Sequence, residues 1–191
     1  KKSMIVAILL AAGKSSRTGN QNKLLLKYKK TKVITSSIRN ILDSKVDKII
    51  VVIGKNKQLI KKHIPKQKKI KIVYNSSYSY GMASSIIKGI EALPINTNHF
   101  FITLADMPKI PASHYNKMIR AGTKNNRLPI VTFFNKKQFN PVLFPFSFLN
   151  KIKKIKGDKG ARLILEKEKK IKITAIKSSY IEDLDTLDDF K

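Results

Sequence analysis

Continuous apolar runs alternate along this chain with segments in which apolar residues recur every three or four positions. Continuous runs are typical of strands buried on both faces, whereas the wider spacing is typical of helices with one buried face. The runs predict strands over residues 4–10, 48–54, 69–75, 99–104, 128–134, 141–144 and 171–176. The wider spacing predicts helices over residues 33–44, 56–64, 81–93, 111–122, 159–168 and 185–191.

This alternation of strands and helices predicts the fold class. It favours an α/β protein, a three-layer α/β/α sandwich with a mostly parallel sheet. We interpret the strands over 128–134 and 141–144 as an antiparallel excursion. Because the chain shows no repeat and no linker rich in Pro, Gly or Ser, we expect residues 1–191 to form a single domain.

The excess of positive charge raises the question whether this protein binds nucleic acid. The net charge is +28, from 40 Lys and Arg against 12 Asp and Glu. However, 35 of the basic residues are Lys and 5 are Arg, and base-reading proteins favour the rigid fork of Arg. Basic and aromatic residues also do not interleave as they do on stacking surfaces. A non-catalytic nucleic-acid-binding protein is therefore the less favoured alternative, and we expect the charge to steer anionic ligands towards a cleft.

The cysteine content and the length of the apolar runs exclude further classes of protein. The chain has no cysteine, which excludes a disulfide framework and a thiolate metal site and fits a cytoplasmic location. Its longest apolar run, about nine residues, is far shorter than the ~20 that a membrane helix needs. We therefore expect no membrane association.

The segment LAAGKSSRTGNQNK (10–23) follows the first predicted strand directly. It contains Gly-Lys-Ser but is not a P-loop, because the position five before Gly13 is Ile8 rather than glycine. Its small residues let backbone N–H groups approach an anion, and Arg17 and Lys23 can hold phosphate. The segment favours a phosphate-binding loop. The alternative is an ordinary strand-to-helix loop on a lysine-rich chain.

Acidic residues stand at two other predicted strand ends. In ITLADMPKI, Asp106 follows an apolar strand, where it could hold Mg²⁺ together with phosphate oxygens. The alternative is that Asp106 caps the helix near Pro111, but that gap is long for a cap. In SSYIEDLDTLDDF, Asp183 or Asp185 could complete the same metal site, unless Asp185 serves as a helix cap.

These segments carry a family resemblance. LAAGKSSRTG with NKLLL, YGMASSI, LADMP, NPVLF, GDKGAR and DLDT occur in this order across nearly the whole chain. Together they resemble MobA-like nucleotidyltransferases, and most closely the molybdenum cofactor cytidylyltransferase branch. The resemblance implies a Rossmann-like fold of the nucleotide-diphospho-sugar transferase type. It also implies transfer of a nucleotide from an NTP to a phosphate-bearing acceptor, with release of pyrophosphate and with Mg²⁺ or Mn²⁺ as cofactor.

The resemblance further implies a set of site residues. Those implied for catalysis are Arg17, Lys23 and Asp106, with Asp106 and Asp185 as metal ligands. Those implied for nucleotide binding are Leu10, Ala11, Ala12, Gly13, Arg17, Lys23, Gly81 and Ser85. Those implied for acceptor binding are Met82, Asn140, Pro141, Gly157, Asp158, Gly160 and Arg162.

The choice of substrates also follows from the resemblance. Relatives that transfer cytidylyl groups carry alanine at the position of Ala12, where guanylyl-transferring relatives carry glycine, so CTP is expected rather than GTP. The implied acceptor is molybdopterin or the molybdenum cofactor, and the implied downstream partner is a molybdoenzyme of the xanthine dehydrogenase type. Phe139 and Asn140 depart from the Gly-His pair usual before PVLF. The alternative acceptor is a sugar phosphate or another small phosphorylated compound, against which GMASS and GDKGAR argue.

Overall fold

A computed structural model describes residues 3–13, 22–158 and 160–175 of the chain. The strands in these ranges are β1 (Met4–Ala11), β2 (Lys27–Tyr28), β3 (Thr31–Lys32), β4 (Lys48–Ile53), β5 (Ile70–Tyr74), β6 (Thr97–Leu104), β7 (Ile130–Phe134), β8 (Lys137–Pro145) and β9 (Ile171–Thr174). The helices are α1 (Val33–Leu42), α2 (Lys57–Lys62), α3 (Met82–Glu91), α4 (Ala112–Lys124), α5 (Leu149–Ile152) and α6 (Arg162–Lys167). None of the helices in these ranges has the length and apolar character needed to cross a membrane.

The main sheet has seven strands in the order β5-β4-β1-β6-β8-β7-β9. The pairs β5-β4, β4-β1, β1-β6 and β7-β9 are parallel. Strand β8 is antiparallel to both of its neighbours, β6 and β7. The predicted mostly parallel sheet with an antiparallel excursion is therefore confirmed. The short strands β2 and β3 form a separate ribbon that the sequence pattern did not predict.

Two apolar clusters cover the two faces of this sheet. Alternate residues of β1 point to opposite faces, so that Leu9 joins one cluster and Ile8 the other. Helices α1, α2 and α4 pack on the first face, and α3, α5 and α6 pack on the second. The three-layer α/β/α arrangement predicted from the sequence is confirmed.

Strands β7 and β8 form a hairpin whose turn end lies beside the site. Its turn residues Asn135 and Lys136 have φ of 44° and 63°, as a two-residue type I′ turn requires. In the β6-β8 register, Ile102 lies opposite Val142 and His99 opposite Pro145. The first half of β8 therefore lies beside the carboxyl end of β6, where the loops after β1 and β6 also lie.

Several helix boundaries differ from the predicted ones by one to three residues. Helix α4 continues to Lys124, whereas Gly122 was predicted to end it. A Cβ at Gly122 would lie 2.7 Å from Leu143 Cδ2, so this glycine permits close helix–sheet packing and does not terminate the helix. Helix α6 begins at Arg162 rather than at residue 159, and the four-residue helix α5 was not predicted. The helix predicted over 185–191 lies outside the described residues.

Candidate active site

A cavity of about 270 Å³ opens at the carboxyl ends of the parallel strands. This is where open α/β sheets bind their ligands. The cavity is lined by Leu10, Ala11, Ala12, Gly13, Lys23, Leu24, Tyr78, Gly81, Met82, Ser85, Leu104, Asp106 and Asp158. It thus brings together all the described residues for which the sequence implied nucleotide binding. Arg17 and Asp185, implied for catalysis and for metal, lie outside the described residues.

The first wall is the end of β1. Ala11 and Ala12 are buried, so their backbone and methyl groups form the surface of the cavity rather than long side chains. Gly54, directly after β4, makes room for this wall. A Cβ at Gly54 would lie 2.8 Å from the Cβ of Tyr78 and 3.0 Å from the Cβ of Ala12. The absence of a side chain at Gly54 therefore lets Tyr78 pack closely beside Ala12.

The second wall is the loop after β6, which carries Asp106. The amide of Ala105 donates to the carbonyl of Leu10, which extends the β1-β6 pairing beyond the strand. From α1, Ser37 Oγ donates to the carbonyl of Ala105, and Asn40 Nδ2 donates to the carbonyl of Pro108, both at 2.8 Å. The loop is held on both sides of Asp106, so the position of the carboxylate is fixed by backbone contacts.

Lys23 meets Asp106 across the cavity. It lies in the short 3-10 helix Lys23–Leu25, whose first turn is capped by Asn22 Oδ1 accepting from the amide of Leu24. Leu24 is 5% exposed and anchors this turn in the core. Lys23 Nζ lies 2.5 Å from Asp106 Oδ2, and both side chains are largely buried. One end of the cavity therefore pairs the Asp106 carboxylate with the Lys23 ammonium group.

The third wall joins the start of α3 to the loop containing Asp158. Asp158 Oδ1 accepts from the amide of Met82 at 3.1 Å, and the amide of Ala83 donates to the carbonyl of Gly157. Gly81 has a φ of 99°, and a Cβ there would lie 2.5 Å from Asp158 Oδ1. Glycine at position 81 is thus required both by its backbone conformation and by the close approach of Asp158.

A second cavity, of about 120 Å³, adjoins the first. Its lining is Met82, Ile86, Ile102, Gln138, Phe139, Asn140, Val142, Phe144, Gly160, Ala161, Arg162 and Leu165. Met82 is common to the linings of the two cavities. A Cβ at Gly160 would lie 3.0 Å from the sulfur of Met82, so the Met82 side chain packs closely against the backbone of Gly160.

The residues implied for acceptor binding do not all line the same cavity. Met82, Asn140, Gly160 and Arg162 line the second cavity, whereas Asp158 lines the first. Gly157 and Pro141 line neither. The carbonyl of Gly157 holds α3, as described above. The carbonyl of Pro141 accepts a hydrogen bond from Thr132 Oγ1 at 2.8 Å.

Buried titratable residues lie apart from both cavities. Burial lowers the pKa of His114 to about 4 and also lowers the pKa of His99. Burial raises the pKa of Tyr115 well above its usual range. Because Thr132 donates to Pro141, His114 Nε2 is the donor in its 2.9 Å hydrogen bond to Thr132 Oγ1. Within the described ranges, these histidines therefore belong to the core and not to a catalytic triad.

The donor set restricts what metal the site could hold. Within the described ranges, no three Asp, Glu, His or Cys side chains come together as a metal cluster. Asp106 presents carboxylate oxygens, which suit Mg²⁺ or Mn²⁺ when other ligands come from phosphate and water. The ammonium of Lys23 already lies against Asp106, so the carboxylate faces a space that accommodates a cation.

Comparison with known proteins decides the family. A sequence model described as the MobA-like NTP transferase domain matches residues 7–171. The chain belongs to this family. The resemblance inferred from the sequence motifs is confirmed, and with it the assignment as an NTP-dependent nucleotidyltransferase.

Individual relatives agree with the family assignment. Purine catabolism protein PucB of Bacillus subtilis (strain 168) is 26% identical over 198 residues, covering 97% of this chain and 94% of PucB. The structure of Rv0371c from Mycobacterium tuberculosis H37Rv has a TM-score of 0.87 at 20% identity, covering 100% of this chain and 97% of that one. A nucleotidyl transferase from Methanothermobacter thermautotroptrophicus has a TM-score of 0.85 at 16% identity, covering 99% of this chain and 95% of that one. These structures share the fold of the MobA-like chain described here.

Some residues of this MobA-like site were not implied by the motifs. Leu24 and Leu104 line the first cavity beside the predicted Lys23 and Asp106. Tyr78 lines it as well and packs against Gly54, a contact that is known only from the structure. Asn75, which contacts Ser85 from outside the cavity lining, was not predicted. A single asparagine after a strand is typical of an ordinary turn.

Proposed function

We propose that this protein transfers a nucleoside monophosphate, CMP from CTP, onto a phosphate-bearing acceptor and releases pyrophosphate. The observation that carries the proposal is the meeting of Lys23 and Asp106 at one end of a cavity walled by the backbone of Ala11, Ala12 and Gly13. An ammonium group and a carboxylate that can bind a divalent cation are the two groups that a polyphosphate needs there.

In the proposed reaction, a phosphate oxygen of the acceptor attacks the α-phosphorus of the nucleotide. The bond between the α-phosphorus and the oxygen bridging to the β-phosphorus breaks, and pyrophosphate leaves. Lys23 would neutralise charge on the phosphates, and the fixed loop around Asp106 would hold the triphosphate in line. Arg17 would add a second cation from the preceding loop.

Asp106 would hold the divalent cation, with Asp185 as the proposed second ligand. When bound, the cation would neutralise negative charge that develops on the triphosphate. The structure of Rv0371c solved as a manganese complex, with a TM-score of 0.81 at 18% identity, supports Mn²⁺ or Mg²⁺ as the cofactor. The Lys23 ammonium would then move from the carboxylate to the phosphates.

The second cavity supports an acceptor with a ring body and an anionic group. Its walls are largely apolar, from Met82, Phe139 and Phe144 among others. Its polar groups are Gln138, Asn140 and Arg162, so that an acceptor phosphate could meet the guanidinium of Arg162. This combination favours a molybdopterin-type acceptor over a sugar phosphate. The name of PucB, a purine catabolism protein, supports a molybdoenzyme of the xanthine dehydrogenase type as the downstream partner.

The experiment is a substrate panel. CTP, GTP, ATP and UTP, each with Mg²⁺ or Mn²⁺, are compared by thermal shift and by pyrophosphate release with molybdopterin as acceptor. We expect CTP to stabilise the protein most and molybdopterin to be required for release. Sugar 1-phosphates serve as the competing acceptors.

A matched variant ties the activity to the site. Asp106→Asn keeps the shape of the side chain but removes its charge, and we expect turnover to fall at least on the order of 100-fold. Wild-type turnover in Asp106→Asn would refute the metal assignment, and equal stabilisation by all four nucleotides would refute the choice of CTP.

A further inference from the structure

Asn75 is a buried hydrogen-bond hub behind the first cavity. It follows β5 directly and is 3% exposed. Its backbone amide donates to the carbonyl of Ile53 at 2.9 Å, which ties it to the end of β4. Its Oδ1 accepts from the amide of Ser77 at 3.0 Å. Since an amide N–H can only donate, this contact fixes which end of the Asn75 side chain is oxygen and which is nitrogen.

The nitrogen end of Asn75 faces two serines on α3. Its Nδ2 donates to Ser84 Oγ and to Ser85 Oγ, each at 2.9 Å. Both hydrogens of the amide nitrogen are therefore used. Because Nδ2 has no lone pair to offer, each serine oxygen must be the acceptor, and each hydroxyl hydrogen must point elsewhere.

The two serines differ in where that hydrogen goes. Ser84 Oγ is within hydrogen-bond distance of the carbonyls of Ser77 and Gly81, at 2.9 and 2.8 Å, so its hydrogen stays within the turn before α3. Ser85 is 5% exposed and lines the first cavity. Within the described ranges, Ser85 Oγ accepts from Asn75 and has no carbonyl of its own to donate to. Its hydrogen is thus available to a ligand in the cavity.

The sheet order indicates which part of the proposed nucleotide would lie there. Asp106 follows β6, on one side of β1, whereas Asn75 and Ile53 end β5 and β4, on the other side. A triphosphate held near Asp106 and Lys23 would leave the nucleobase on the other side of β1, towards Ser85. Tyr78, packed against Ala12 and Gly54, lies at this end and could cover a base face.

We propose that Asn75 is a positioning residue that makes the Ser85 hydroxyl a hydrogen-bond donor to the nucleobase. This proposal rests on the proposed function, since it needs a nucleotide in the cavity. A donor at Ser85 favours bases that present a carbonyl oxygen or an unprotonated ring nitrogen, as the O2 and N3 edge of cytosine does.

The test separates contacts to the base from contacts to the phosphates. Calorimetric titration with CTP and with tripolyphosphate, which has no base, is carried out in Mn²⁺ for wild type, Asn75→Ala, Ser85→Ala and the double variant. Loss of a single hydrogen bond of this kind predicts a three- to tenfold weaker affinity for CTP, on the order of the usual cost. Affinity for tripolyphosphate should stay within about twofold of wild type.

The double variant and two further substitutions make the test specific. If Asn75 acts through Ser85, the double variant should bind CTP no more weakly than Ser85→Ala, which is a non-additive result. Asn75→Asp, whose carboxylate accepts the Ser85 hydrogen and turns it away from the cavity, should weaken CTP binding at least as much as Asn75→Ala. Ser84→Ala, which removes the other serine partner, should leave CTP affinity within about twofold.

The possible failures are distinguishable. Additive losses, or an equal loss of tripolyphosphate affinity in Asn75→Ala, would show that Asn75 only supports the fold and would overturn the inference. CTP affinity unchanged in Asn75→Ala and Ser85→Ala would overturn it while leaving the proposed function standing. A wild-type protein that binds no nucleoside triphosphate would overturn both.

Discussion

The contact between Gly54 and Tyr78 yields a prediction that can be worked from distances. In Gly54→Ala, the new methyl carbon would lie 2.8 Å from both Cβ and Cγ of Tyr78. Ordinary van der Waals contact begins at 3.4 Å, so the two groups must separate by about 0.6 Å. The Tyr78 Cβ is bonded to the backbone, so the turn that carries Tyr78 has to move, and this turn forms part of the wall of the first cavity.

Two quantities should change together in Gly54→Ala. Overpacking of this kind costs about 1–3 kcal/mol of folding free energy. For a chain of this size, that lowers the melting temperature by roughly 2–12 °C. A misplacement of about 1 Å can lower a catalytic rate about 100-fold, and we expect the smaller shift here to weaken nucleotide binding on the order of tenfold. Thermal melting and titration with CTP measure the two effects.

Gly89→Ala is the matched control. A Cβ at Gly89 would lie 2.3 Å from Ile8 Cγ2, in the packing between α3 and β1, so this change should also destabilise the fold. Neither Gly89 nor Ile8 lines the cavity, and the folded fraction should bind nucleotide normally. If Gly54→Ala binds CTP as tightly as wild type, the close packing of Gly54 does not position Tyr78, and the reasoning is refuted.

Three further predictions concern the supports of the site. Leu24 is 5% exposed, and Leu24→Ala should lower the free energy of unfolding, measured in urea, by about 2–5 kcal/mol. It should also weaken tripolyphosphate binding, because the turn carrying Lys23 loses its anchor. The control Leu24→Met should be nearly neutral in both assays. Asn40→Ala removes the 2.8 Å hydrogen bond to the carbonyl of Pro108 and should lower the free energy of unfolding by about 1 kcal/mol. We also expect a several-fold loss in kcat at nearly constant KM. An unchanged kcat would show that the Asp106 loop is held without this hydrogen bond. The pKa of His114 is about 4 in the folded protein against an ordinary value of 6.5, so the unfolded chain binds more protons between these values. Folding free energy should therefore be at its full value above pH 6.5 and fall by up to about 3 kcal/mol as the pH drops to 4. His114→Gln should flatten that part of the curve, and a wild-type curve without acid destabilisation would contradict the assignment.

The hydrophobic periodicity was sufficient to predict the three layers of this fold, and the reason is physical. Strands such as β1 and β4 are buried on both faces and so are apolar throughout, and helices such as α1 and α3 show one clear apolar stripe. The ribbon of β2 and β3 has two residues in each strand, which is too short to show any period. Gly122 was misread as a helix end because a glycine that admits a neighbouring side chain and one that ends a helix look the same in sequence.

The site was predictable where chemistry is carried by residue type, and less so where it is carried by packing. Asp106 and Lys23 stand out as polar groups at strand and loop positions, and the structure places them in contact. Gly54 and Asn75 contribute by making room and by orienting a neighbour. Such roles depend on contacts between segments distant in sequence, which a single chain does not reveal before it folds.

The antiparallel course of β8 has a consequence for how this fold can diversify. Gln138, Phe139 and Asn140 enter the second cavity from a hairpin closed by a two-residue turn. The loops that carry the proposed nucleotide-binding residues follow other strands, β1 and β6. Under the proposed function, replacement of this one hairpin would change the choice of acceptor and leave the proposed triphosphate site unchanged.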